Sequence, residues 1–178
     1  MGIFKPNLEN PYPEPGWQTI TGFEYVDPLQ LFRSAEALKF QSGEDADYVI
    51  SHEYRVRFRL DEQVREITVP AGMLTDLTSV PRVARWLIGR VGRHLEAAIV
   101  HDFLYIGWQD LPGREPLEED RRFADELMRV AMVAANVNSA MRFIIFWAIR
   151  IFGGWAYRSR NRHRYWLPDN ATAGDGAV

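Results

Sequence analysis

The chain contains no cysteine. Disulfides and thiolate metal sites are therefore excluded, which fits a reducing compartment or a fold that needs no covalent staple. It also lacks a long uninterrupted apolar run. The best candidate, MRFIIFWAIRIFGGWAY at 141–157, is broken by Arg142, Arg150 and two glycines, and falls short of the roughly 20 apolar residues that span a bilayer. No signal-peptide pattern is visible: MGIFKPNLENPYPEPGW is neither basic nor continuously apolar, so secretion through such a signal is not expected. Gly2 begins a myristoylation-like pattern, but Pro6 stands where Ser or Thr is needed. Charge of one sign is not in excess either. With 21 Lys and Arg against 24 Asp and Glu, the net charge is −3, which argues against a nucleic-acid partner. The four histidines (His52, His94, His101 and His163) are scattered without zinc-ligand spacing. There is no internal repeat.

What is present is enough for one domain with a real core: 178 residues, 47% hydrophobic, with six Trp, seven Tyr and ten Phe. Residues 1–17 carry four prolines and read as an extended arm, either wrapping a neighbour or poorly ordered. Residues 18–166 form a single domain, and LPDNATAGDGAV, 167–178, reads as a disordered tail.

Within the domain, YRVRFRL at 54–60 alternates, with Tyr54, Val56, Phe58 and Leu60 on one face and Arg55, Arg57 and Arg59 on the other. That is a half-buried strand, and VREITVP at 64–70 completes a hairpin with it. The arginine face suits a nucleic-acid or phospholipid contact or, more plainly, a solvated face neutralised by Glu53, Asp61, Glu62 and Glu66. QTITGFEYV and DYVIS are further short strands. After residue 82 the period is helical: 82–91, 93–107, a helix opening on Pro116 and running to about Ala135, and one over Ser139–Tyr157. Strands first and helices after give an α+β class, a small antiparallel sheet followed by three to four helices.

The helix around EAAIVHDFLYIGW (96–108) is apolar on nearly every side, yet carries His101 and Asp102 in its middle. Burying either without a partner costs several kcal/mol, on the order of the desolvation of an unpaired polar group. They project about 100° apart on the helix, so each needs its own partner. For His101, the helix 116–135 offers Asp125 at the border of its apolar stripe, with Asp120 as the alternative. Asp125 also has a plainer reading, an ion pair with Arg121 or Arg129 at helical spacing. The loop GMLTDLTSVPR at 72–82 offers Asp76, while Thr78 and Ser79 serve equally well as helix caps. A loop carboxylate and carbonyls facing a carboxylate on a rigid helix make a hard-cation site, so Asp76 and Asp102 are candidates to share one Ca²⁺.

Three motifs in order, Thr75-Asp76-Leu77-Thr78-Ser79-Val80-Pro81, His101-Asp102-Phe103-Leu104-Tyr105 and Ala124-Asp125, resemble a family of uncharacterised phage and prophage proteins. The same pieces are similar to the core of bacterial and fungal secreted phospholipases A2. That resemblance implies roles: His101 as the base that activates water, Asp125 orienting it, Tyr105 supporting the dyad, and Asp76, Asp102 and the Leu77 carbonyl holding Ca²⁺. The chain departs from those enzymes in having no disulfide and in an extra amphipathic segment between Asp76 and His101.

Two functions follow as expectations. One is a phage-encoded, Ca²⁺-dependent hydrolase of lipid esters acting at a phospholipid or host membrane surface. The other is a non-catalytic virion component, in the tail or associated with it, contacting other phage structural proteins. Either places the protein in a virion or in the cytoplasm of an infected bacterium. The C-terminal stretch SAMRFIIFWAIRIFGGWAYRSRNRHRYW carries three readings: a core helix capped at Gly153-Gly154, an interfacial helix laying Trp147, Phe152, Trp155 and Trp166 on lipid, or an aromatic face docking a neighbouring subunit.

Overall fold

Alternation at 54–60 is kept in three dimensions: Tyr54, Val56, Phe58 and Leu60 are buried, and the arginines between them lie on the opposite face. The computed structural model describes residues 9–33, 48–75, 93–159 and 165. The strands are β1 (Ile20–Tyr25), β2 (Leu31–Phe32), β3 (Tyr48–Ile50), β4 (Tyr54–Leu60), β5 (Gln63–Val69) and β6 (Leu74–Thr75). Three helices follow: α1 (Leu95–Ile106), prolonged by a 3₁₀ turn at Gly107–Asp110, then α2 (Glu118–Ala134) and α3 (Ser139–Arg158). The class is α+β. The helix expected at 82–91, the loop residues Asp76 and Leu77, Trp166 and the arginines at 160–164 lie outside the described residues.

The strands form two antiparallel sheets rather than one, ordered β1-β4-β5 and β2-β3-β6. β2 and β6 have two residues each, too few for an alternation to show. The β4–β5 hairpin pairs Leu60 with Gln63, so Asp61 and Glu62 form a two-residue loop, both at positive φ (46° and 68°). Such a turn matches the right-handed twist of the strands. The Asp61 carboxylate accepts from the backbone N–H groups of Gln18 (3.0 Å) and Thr19 (2.8 Å). It therefore fastens the turn to the lead-in of β1 instead of neutralising the arginine face. Glu66 does pair with Arg57 at 3.1 Å, while Asp27 (2.8 Å from Arg55) and Glu24 (3.7 Å from Arg57) supply further charge. Those two come from β1 and the residues after it because β1 runs beside β4.

The inner face of the first sheet meets the helices through Phe123 of α2, whose ring lies 5.8 Å from both Trp17 and Phe58. Full burial of a side chain of this size is worth about 1.5–3 kcal/mol. Tyr12, in the proline-rich lead-in, is buried in this chain's own core; its hydroxyl donates to the Leu104 carbonyl (2.5 Å) and accepts from the Trp108 N–H (2.9 Å). Ala97 and Ala98 cluster with Met128, Ala131 and Met132, while farther along α1 His101 and Tyr105 reach Asp125. α1 and α2 are therefore antiparallel.

One helix boundary differs from expectation, and so does the cap read at Gly153-Gly154. Pro116 precedes α2 instead of opening it: Leu117 is extended (φ −95°, ψ 139°) and helical residues begin with Glu118, Glu119 and Asp120. Three acids in the first turn suit the positive end of the helix dipole. α3, capped by the Asn138 side chain accepting from the Met141 N–H, runs through Gly153 and Gly154 to Arg158. Neither glycine takes the left-handed conformation of a C-terminal stop. α3 is also only half a core helix: Ile145, Ile149, Gly153 and Tyr157 are buried, and the opposite face is exposed. Among the described residues, no helix is long and apolar enough to cross a membrane.

Candidate functional site

His101 and Tyr105 are one helical turn apart on α1 and so share a face. That face looks onto α2, where Asp125 is fully buried (0% side-chain exposure) and His101 nearly so (2%). The His101 Nε2 lies 2.9 Å from Asp125 Oδ1, and the Tyr105 hydroxyl donates to the same oxygen at 2.7 Å. The other carboxylate oxygen accepts from Arg150 Nη1 of α3 at 2.9 Å, with Arg121 Nη1 at 3.7 Å. Three helices thus meet on one carboxylate.

The charges explain why this cluster survives burial. Burial opposes the charged form of Asp125, but His101, Tyr105 and Arg150 outweigh it and hold its pKa below the usual carboxylate value. Burial likewise opposes the imidazolium, but Asp102 and Asp125 outweigh it and raise the His101 pKa. Burial and the Asp125 charge push the Tyr105 hydroxyl well up, which keeps it a donor. An ionised carboxylate only accepts, so Nε2 carries the hydrogen and the neutral imidazole keeps its lone pair on Nδ1.

Nδ1 faces the second acid. It stands 3.9 Å from Asp102 Oδ1, beyond hydrogen-bond reach. Asp102 Oδ2 accepts from the Thr75 hydroxyl at 3.2 Å, and Oδ1 is buried with no hydrogen-bond partner among the described residues. Thr75 ends β6 and immediately precedes Asp76 in the sequence. Buried carboxylate oxygens ordinarily find a donor or a cation. Among the described residues, no group of three or more His, Asp or Glu is placed to hold a metal ion, so any further ligands would have to come from elsewhere.

Residues 49–149 match the family model described as "Protein of unknown function (DUF1353)", more than half of the chain. The chain belongs to the DUF1353 family. The matched region runs from β3 into α3 and includes Thr75, His101, Asp102, Tyr105 and Asp125. No curated protein and no solved structure gives a significant match.

Of the residues singled out in sequence, His101, Tyr105 and Asp125 come together, and Asp102 lies beside them. Both readings of Asp125 hold in part: it binds His101 and also lies near Arg121. Arg129 pairs with Glu126 instead (2.7 Å). Asp120 takes no part in the cluster; it is held by Arg114 at 2.8 Å. Asp76 and Leu77 lie outside the described residues. Three contributors escaped the sequence reading: Arg150, Gly153 and Thr75. Arg150 had left a trace, since a cation inside FWAIRIF needs a buried partner. Gly153 leaves the space that Tyr105 fills: a Cβ there would lie 2.6 Å from the Tyr105 hydroxyl.

Proposed function

We propose that this protein is a phage-encoded, Ca²⁺-dependent hydrolase of lipid esters, similar in its core chemistry to phospholipase A2. The observation that carries the reading is the division of labour around one imidazole. Nε2 is committed to Asp125, while Nδ1 is left with its lone pair beside an acid whose Oδ1 is buried and has no hydrogen-bond partner among the described residues. A cation would satisfy that oxygen, so Asp102 fits a Ca²⁺ ligand; Asp76 and the Leu77 carbonyl are the proposed others. When bound there, Ca²⁺ would supply positive charge for the substrate phosphate and for the oxyanion of the ester carbonyl.

The protein's own groups then have defined tasks. His101 Nδ1 takes a proton from water as the water oxygen bonds to the carbonyl carbon. Asp125 holds the ring and stabilises the imidazolium. Tyr105 and Arg150 hold Asp125. As the tetrahedral species collapses, the ester C–O bond breaks and the imidazolium returns its proton to the leaving alkoxide, giving a free carboxylic acid and an alcohol. The test is release of fatty acid from neutral and anionic phospholipid vesicles with Ca²⁺, abolished by chelation and by His101→Asn.

One observation favours a second reading, a non-catalytic virion component. The Asp125 cluster ties α1, α2 and α3 together at a single buried point, as a structural clamp would. Failure to hydrolyse any of those lipids, with Ca²⁺ binding absent, selects that reading.

A further inference from the structure

We propose that Thr75 is a positioning residue: its hydroxyl holds the Asp102 carboxylate open to a cation and off the imidazole of His101. The proposal rests on the reading of Asp102 as a Ca²⁺ ligand, and it adds a residue that acts on the ion only through that ligand. Thr75 ends β6 and Asp102 lies on α1, so the bond between them joins the second sheet to the helix that carries His101. Both residues are buried, Thr75 at 4% exposure and Asp102 at 8%.

Two arrangements compete for Asp102. Its Oδ1 stands 3.9 Å from His101 Nδ1. A turn of the carboxylate about its Cβ–Cγ bond would shorten that gap and pair the acid with the ring. Nδ1 would then be occupied, and Oδ1 would be lost to a cation. The Thr75 hydroxyl opposes that turn by donating to Oδ2 at 3.2 Å. The sheet in turn holds Thr75. β6 pairs with β3 at Tyr48↔Thr75 and Val49↔Leu74, and the Ile50 N–H donates to the Met73 carbonyl at 2.9 Å. A β-branched side chain is also restricted at χ1. In sequence Thr75 runs straight into Asp76, so the residue that sets Asp102 also leads into the proposed loop ligands.

The test is calorimetric titration of the full chain with Ca²⁺ in wild type, Thr75→Val and Thr75→Ser. Val keeps the shape and suits a strand but has no hydroxyl; Ser keeps the hydroxyl. Hydrogen bonds to a ligating carboxylate orient it, and losing one costs about ten- to a hundredfold in metal affinity. Thr75→Val should weaken Ca²⁺ binding by that factor, and Thr75→Ser should bind as wild type does. Circular dichroism of the metal-free proteins should be the same in all three. Thr75→Val that binds as tightly as wild type overturns the inference and leaves the Ca²⁺ reading standing. Equal losses in Thr75→Val and Thr75→Ser overturn it as well. If Thr75→Val does not fold, Thr75→Ala takes its place under the same criteria, and failure of both to fold makes Thr75 a structural residue and overturns the inference. Wild type that binds no Ca²⁺ removes the ligand reading and the inference with it.

Discussion

Tyr105 and residue 153 compete for one volume: a Cβ on Gly153 would stand 2.6 Å from the Tyr105 hydroxyl and 3.3 Å from its ring carbons. That hydroxyl is the one that donates to Asp125. Gly153→Ala is therefore expected to push Tyr105 off the carboxylate. A helix gains up to about 1 kcal/mol from Gly→Ala, but overpacking costs about 1–3 kcal/mol, and the buried bond loosens as well. Net destabilisation should appear in urea denaturation. Gly154→Ala is the control: its nearest contact is the Arg158 guanidinium at 3.5 Å, so it should stabilise by about 0.5–1 kcal/mol.

Arg150 should matter more than other arginines in ion pairs. Arg150→Met removes a charged donor from the buried Asp125 and should cost about 1.5–3 kcal/mol, with Arg121 only partly compensating. Arg129→Met, which breaks the exposed pair with Glu126, should change stability by no more than about 0.5 kcal/mol. A pair of denaturation curves decides it, and equal effects would show that Asp125 does not need α3.

Asp125 sets an acid limit. Its folded-state pKa lies below the ordinary carboxylate value, so the unfolded chain takes up the proton first as pH falls. Its contribution is fully present above the unfolded value of about 4 and is lost as pH drops through the lower folded value. Wild-type stability should fall across that acid window, and Asp125→Asn, less stable at neutral pH, should show a shallower fall. Parallel acid limbs in the two proteins would contradict the assignment.

His101→Asn separates chemistry from packing. As the base, its loss should lower ester hydrolysis by at least about 10²-fold while circular dichroism shows the fold retained. Asp125→Asn should cost less, because the amide still offers the ring an acceptor of similar shape. If wild type and His101→Asn hydrolyse lipid equally, His101 is not the base.

Asp102→Asn addresses the cation. Calorimetric titration of wild type with Ca²⁺ should give heat of binding, and the variant should give none. Retained binding would move the ligand set away from α1.

Much of this arrangement was legible in residue order, and the reasons are local. Strict alternation at 54–60 and the helical period of α2 depend on neighbours within a few positions, so both elements could be read. The need for partners at His101 and Asp102 was legible too, because ionisable groups in an apolar helix cannot stay unpaired. The split into two sheets was not, since two-residue strands carry no pattern. The role of the glycine pair in α3 was not legible either: a glycine that ends a helix and one that admits a neighbouring ring look alike until the ring is placed.

The sequence alone determined the strand-then-helix order, the amphipathic faces and the presence of a buried His and Asp on one helix, because periodicity and desolvation act along the chain. Tertiary structure alone decided that Asp125 takes His101, Tyr105 and Arg150 from two other helices, and that Asp102 turns instead to Thr75. Partner choice between elements depends on distances across the core, and those are fixed only when the helices pack.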